Sequence, residues 1–269
     1  MKLAFSTLGC PDWTLKYSVD QAKKLGFRAI EIRGIKECLR ADTIEELLPE
    51  NLEASLRYAD ENNIAFCCLG ASAFFHDKDK RNENYEEAMA TVKKASECKI
   101  PYVRIFGNNL VTEDEAAEIK DIAVYIKRLC TEAEKFNVTI LLEVHGDFNT
   151  SDRILMVANA VNCNNFGIIW DIQHSREDYV QFWKNIKHLV RHVHIKDSIQ
   201  GVLCNTGEGD LPVESIVRML ENVGYDGFFS IEWEKRWHPE LRNAEDEFPS
   251  YVSLMKRYLN NMMSEDCKI

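Results

Sequence analysis

Eight short apolar runs alternate with eight amphipathic segments along this chain, and that alternation limits its fold more than any other feature. The runs are Lys2–Ser6, Ala29–Arg33, Ile64–Leu69, Tyr102–Phe106, Thr139–Val144, Phe166–Asp171, Val190–Ile195 and Gly227–Glu232. They are rich in Ile, Val, Leu and Phe, as expected of parallel strands covered on both faces. Helical periodicity fills 18–25, 43–62, 84–98, 112–136, 151–160, 177–187, 213–223 and 248–262. Gly26 and Gly224 stand where a left-handed C-cap belongs. Thr43-Ile44-Glu45-Glu46, and Thr112 with Glu115, read as capping boxes. Strict βα alternation implies a parallel sheet, which eight units can close into a barrel or leave open. No Gly-rich phosphate turn follows the first run, and polar residues recur at many strand ends instead of one switch point. Both features favour an α/β fold, the (β/α)8 TIM barrel. The 269 residues suit one such domain, 1–269, and no Pro/Gly/Ser-rich linker divides them.

In a barrel, the C-terminal strand ends face the active site. Runs five to eight continue into Leu142-Glu143-Val144-His145, Trp170-Asp171-Ile172-Gln173-His174, His192-Val193-His194-Ile195-Lys196-Asp197 and Ile231-Glu232-Trp233-Glu234. A lone acid at such a place is commonly a helix cap or a rim charge. Four ligand-type residues in succession beside buried hydrophobics need a compensating charge, because unpaired buried carboxylates cost several kcal/mol each. The simplest partner is one divalent metal ion held by Glu143, Asp171, His194 and Glu232. Three carboxylates and an imidazole are a harder set than a structural zinc site. They suit Mn²⁺ first, Mg²⁺ or Co²⁺ next, and admit Zn²⁺.

The net charge of -11 disfavours a nucleic-acid partner. The nine scattered cysteines form no CxxC pair, so a disulfide framework is not expected and a reducing, cytoplasmic setting is. Met1–Thr7 is too short an apolar stretch for a signal peptide, and no run approaches a membrane span.

Other polar residues share the inward parity of these strands. His192 fits a barrel-core position below His194, and His145 fits the pocket lining or a loop. Glu31, if buried, needs a partner such as Arg104 or Lys196. Arg33, Arg104 and Lys196 are the evident inward cations, and without a phosphate nest they point to neutral sugars over sugar phosphates. His76 follows strand three and either caps the pocket or lies exposed in a loop. Trp13, Phe74, Trp233 and Trp237 fit an apolar wall or ordinary core. Glu245-Asp246-Glu247 fits the solvated start of the last helix.

These strand-end motifs resemble those of the xylose isomerase-like barrels, the sugar phosphate isomerase/epimerase group. That group includes ketose 3-epimerases, inosose dehydratases and an endonuclease IV branch. The resemblance runs over nearly the whole chain and is strongest from Glu143 onward. It implies that Glu143, Asp171, His194 and Glu232 ligate the metal, and that Glu143 and Glu232 are also the catalytic acid/base pair. It gives His174 a substrate contact, and His145, Lys196, Glu31, Arg104 and His76 are expected around the same pocket.

The implied activity is a sugar or cyclitol isomerase or epimerase, with proton abstraction next to a carbonyl through a metal-bound enediolate. The alternative is a dehydratase or lyase on a keto-sugar or inosose. An endonuclease IV-like nuclease needs more histidines than the seven present, and a non-catalytic sugar-binding barrel has no use for a buried charge cluster. Gln200 stands where ketose 3-epimerases carry arginine, which argues against that specificity, while Lys196-Asp197 is closer to the dehydratase branch. The resemblance also implies a homodimer or homotetramer.

Overall fold

The protein is described by a computed structural model covering residues 1–266. Its strands in chain order are β1 (Lys2–Ser6), β2 (Ala29–Ile32), β3 (Ala65–Phe74), β4 (Tyr102–Phe106), β5 (Thr139–Glu143), β6 (Phe166–Asp171), β7 (Val190–Ile195), β8 (Asp197–Ile199), β9 (Val202–Cys204) and β10 (Phe228–Ile231). The helices are α1 (Leu15–Leu25), α2 (Pro49–Glu61), α3 (Arg81–Glu97), α4 (Glu115–Glu134), α5 (Ser151–Val161), α6 (Tyr179–Ile186), α7 (Val213–Asn222) and α8 (Ala244–Asp266). Eight parallel strands close in the order β1-β10-β7-β6-β5-β4-β3-β2, while β8 and β9 form a separate antiparallel hairpin. The expected (β/α)8 barrel is therefore present.

Two apolar cores hold it together. The large one lies between the strands and the helical jacket. A small one, Ala4, Ala29, Cys67, Cys68, Leu141 and Ile169, fills the barrel interior. Small side chains suit that narrow space, and they make the interior a packed floor below the polar strand ends. The eight cysteines among the described residues are all free. No described helix is long and apolar enough to cross a membrane.

Several element starts differ from the sequence expectation, each for a local reason. Helix α1 begins three residues early because Thr14 accepts the Tyr17 N–H at 3.1 Å, and Gly26 ends it at φ 90° as expected. The Thr43 capping box does not form. Leu48 precedes Pro49 and stays extended, so α2 starts at Pro49 after two 3-10 turns. Glu46 accepts the Leu15 N–H instead. The Thr112 box is also displaced: Asp114 caps α4 by accepting from Ala117, and Thr112 donates its hydroxyl to Glu118. Strand β3 runs on to Phe74, five residues past the expected end.

The hairpin β8–β9 was not expected. It turns at Gln200 and Gly201, both at positive φ, and Asp197 fastens it. The buried Asp197 carboxylate accepts N–H groups from Ser198, Gly207, Gly209 and Leu211. Asp197→Ala strands those donors, and urea unfolding should show a loss of about 3 kcal/mol. A loss well under 1 kcal/mol would mean the loop holds without this anchor. The acidic run does open α8, but Glu247 is buried against the Thr206 N–H and is not solvated.

Candidate metal centre

Strand register sets the site. Glu143 pairs with Ile169 across β5–β6, Asp171 with His194 across β6–β7, and His194 with Ser230 across β7–β10. Glu143, Asp171 and His194 thus reach one level of the barrel mouth, and Glu232 joins them just beyond β10. One ligand atom from each of the four lies within 4.8 Å of the others, and all four residues are buried. His194 Nδ1 stands 3.2 Å from Glu232 Oε2, 3.8 Å from Glu143 Oε1 and 4.0 Å from Asp171 Oδ2. Glu143 Oε2, Asp171 Oδ2 and His194 Nδ1 are buried without a directed hydrogen bond. Their near neighbours are charged side chains, Arg104 at 3.2 Å, Lys196 at 2.8 Å and Glu232 at 3.2 Å, and the four converging side chains fit a metal ion. Oxygen-rich donors with one imidazole suit a hard or borderline divalent cation.

Beneath the quartet, Glu31 holds the histidine. Its carboxylate lies 3.0 Å from His194 Nε2, 2.9 Å from His192 Nε2 and 3.1 Å from the Ser230 hydroxyl. The expected partners, Arg104 and Lys196, are not the ones it meets. Glu31 sits one level deeper than they do and crosses the interior to β7 and β10. Burial disfavours its ionisation, but His194 and His192 outweigh burial and hold the carboxyl well below the usual range. A carboxylate on the far nitrogen of a metal-ligating histidine fixes its tautomer and aim. Glu31→Gln should therefore weaken metal affinity by about 10- to 100-fold, measured by calorimetric titration. Unchanged affinity would reject that orienting role.

Lys196 is fully buried among acids. Its Nζ is 2.6 Å from Glu232, 2.8 Å from Asp171 and 2.7 Å from Glu234. Burial opposes its charge, but Asp171, Glu232 and Glu234 prevail and raise its pKa well above the ordinary value. Glu234 was not singled out from sequence, although it shares the parity of Glu232. Arg104 stacks 3.9 Å over Phe106 and places Nε 3.2 Å from Glu143.

The carboxylates respond differently to these neighbours. Burial, then repulsion from Glu232, pushes the Glu143 carboxyl up to about 7. Burial also opposes ionisation of Glu232 and Asp171. His194 and Lys196 outweigh it at Glu232, and Lys196 and His174 at Asp171, so both stay well below the usual range. Burial lowers His174, but Asp171, 3.0 Å away, raises it further. Burial, then His174, drops the neighbouring His145 to about 4.

Above the quartet lies a cavity of about 250 Å³, lined by Leu8, Arg33, Arg104, Phe106, Glu143, His145, Lys196, Glu232, Glu234 and Trp237. Of the four aromatics expected as a wall, Trp237 alone is there. Trp13 packs against Phe5, Tyr17 and Phe248, Trp233 is buried with its indole N–H on the Arg242 carbonyl, and Phe74 faces a separate cavity. His76 stacks on Phe74 and lies apart from the quartet's cavity. His174 lines a neighbouring hollow with Gln200. His192 is buried below His194, as its parity implies.

A model of the xylose isomerase-like TIM barrel family matches residues 19–257. Over 180 residues the chain is 28% identical to a Methanocaldococcus jannaschii protein described as "Uncharacterized protein MJ1311", covering 61% of this chain and 54% of that protein. The chain thus spans about half the length of the curated relative it matches. Among solved structures, the probable 3-DHS dehydratase AsbF from Bacillus anthracis superimposes with a TM-score of 0.81 at 18% identity, over 95% of this chain and 99% of that one. A D-tagatose 3-epimerase-like protein matches with a TM-score of 0.77 at 19% identity, over 98% and 99%. The IolI protein, solved with a zinc atom, matches with a TM-score of 0.74 at 22% identity, over 98% and 99%. At these identities the likeness establishes a shared fold.

Proposed function

Because the chain belongs to the xylose isomerase-like TIM barrel family, we propose that it is a divalent-metal-dependent isomerase or epimerase of a sugar or cyclitol. The observation that carries this reading is the convergence of Glu143, Asp171, His194 and Glu232 beside a polar cavity. These four would hold the ion, with Mn²⁺ the best match to their donors and Zn²⁺ also admitted. Held by these residues, a divalent ion would supply Lewis acidity to a substrate carbonyl and so to the C–H beside it.

The protein supplies the proton transfer. Glu143 and Glu232 both line the cavity, and each disfavours the other's charge. Despite burial, Glu232 is held ionised by His194 and Lys196 while Glu143 is raised, so Glu232 can take a proton from one face of a carbon and Glu143 can return one to the other. In the metal-free protein Glu143, at about 7, is poised to hold or release a proton near neutral pH. Arg104 fixes its orientation. His145 and Lys196, which line the cavity, contact substrate oxygens, His145 as a neutral imidazole and Lys196 as a cation, while His174 reaches toward them from the neighbouring hollow beside Asp171. The Lys196 ammonium also supports the dehydratase alternative, since it can protonate a departing hydroxyl.

Incubation with ketoses, inososes and keto-glycosides in D₂O with Mn²⁺ tests the reaction. Deuterium next to the carbonyl without loss of water supports epimerisation, and an unsaturated product supports the lyase. Absence of exchange with every substrate contradicts proton abstraction.

Metal uptake should depend on pH with a fixed sign. Binding needs Glu143 ionised. Its folded pKa, about 7, lies above the ordinary 4.5, so between those values the folded protein keeps a proton that the unfolded chain has released. The metal-free protein loses stability as pH rises through that window, while metal affinity gains about tenfold per pH unit and levels off above it. Titration calorimetry between about pH 5 and pH 8 reads this directly. An affinity independent of pH would remove Glu143 from the ligand set.

A further inference from the structure

Two buried arginines at one end of the cavity have idle donors. Arg33 is 5% exposed and Arg104 is fully buried, and both line the cavity. Arg33 is held by its backbone N–H on the Thr7 hydroxyl and by Nη2 on the Ser72 hydroxyl at 2.8 Å. It makes no ion pair with any described carboxylate, and its Nη1 is buried with no partner. Arg104 places Nε 3.2 Å from Glu143 in an ion pair without a directed hydrogen bond, and its Nη1 is likewise unpartnered.

Both side chains pass over Gly70. A Cβ there would stand 2.4 Å from Arg33 Cδ and 2.9 Å from Arg104 Nη2. The absent side chain at position 70 is what lets two guanidiniums lie side by side. That arrangement opposes itself electrostatically: burial, then Arg104, lowers Arg33 to about 10. Glu143 beside Arg104, with Glu87 and Glu232, offsets part of that repulsion, and an anion between the two unpartnered terminal nitrogens would complete it.

We propose that the substrate carries a carboxylate and that Arg33 and Arg104 clamp it. Each guanidinium offers an unpartnered terminal nitrogen, Nη1, and the two nitrogens match two carboxylate oxygens. The carbonyl and hydroxyls of the same molecule then reach the quartet, Lys196 and His145, with Leu8 and Trp237 against its carbon face. The substrate class is a small polyhydroxy acid, a sugar acid or cyclitol acid, in place of the neutral sugar expected from sequence. This inference rests on the proposed use of the cavity as the substrate site.

Calorimetric titration of the full chain, metal-free and Mn²⁺-loaded, with gluconate, sorbitol and inorganic phosphate tests it. Gluconate should bind about tenfold or more tightly than sorbitol, and Arg33→Gln should remove that preference without changing manganese content. Arg33→Lys, which keeps the charge and loses the fork, should retain an intermediate preference and carries the test if Arg33→Gln does not fold. Equal binding of gluconate and sorbitol, no gluconate binding, or wild-type gluconate affinity in the folded Arg33 variants overturns the proposal. Tighter binding of phosphate than of gluconate overturns the carboxylate assignment. Gluconate preference in a chain that takes up no manganese leaves the carboxylate clamp standing and sinks the metal-dependent reading.

Discussion

Replacing Lys196 with methionine lowers the stability of the metal-free protein by about 3–5 kcal/mol. The ammonium lies within 2.8 Å of Asp171, Glu232 and Glu234, and it is fully buried with the first two. Methionine matches the length of the side chain and removes the cation that, among the described residues, all three share. Three carboxylates then face one another in a site that water does not reach freely, and breaking a buried pair costs far more than a surface pair contributes. Urea unfolding of the two chains in a metal chelator measures the loss. Added manganese should recover part of it, because a divalent ion on the quartet replaces the missing charge. A loss under about 1 kcal/mol would mean that the carboxylates relax or take up protons without Lys196.

Glu143→Gln and Glu232→Gln each lower turnover by about 100- to 10,000-fold on any substrate that exchanges deuterium. Glutamine keeps the shape of the side chain but can neither take nor return a proton. It is also a weaker, uncharged ligand, so part of the loss is metal occupancy. Assay at saturating manganese separates the two effects: occupancy is restored by mass action, whereas proton transfer is not. Full activity of either variant at high manganese would reduce that glutamate to a ligand and place the proton transfer elsewhere.

Much of the site was legible because a barrel converts strand order into spatial proximity. The ends of four consecutive strands must meet at one mouth, so Glu143, Asp171, His194 and Glu232 follow from counting apolar runs. Contacts that depend on depth inside the barrel were less legible. Glu31 and Lys196 share inward parity, yet Glu31 meets His192 and His194 because it lies one level below. Parity gives the face and not the height. Glu234 was passed over because two acids two residues apart look like a rim charge until a buried lysine joins them.

Local signals were outvoted elsewhere. Neither Thr43 nor Thr112 caps a helix, because Pro49 starts α2 and Asp114 caps α4. The β8–β9 hairpin carries half of the usual signal: Gly201 suits positive φ, whereas Gln200 adopts it without the Asn or Asp that marks such a turn. Trp13 and Trp233 illustrate that an aromatic near a strand end is more readily core than pocket wall, since both fill space behind the strands.

Titration of manganese into the chelator-stripped protein tests the metal centre most directly. One ion should bind per chain, about 10- to 100-fold more weakly in Glu31→Gln, with no measurable stoichiometric binding in Asp171→Asn or His194→Ala and circular dichroism unchanged. Wild-type chains that bind no divalent ion, or His194→Ala chains that bind it as tightly as wild type, would contradict this metal centre.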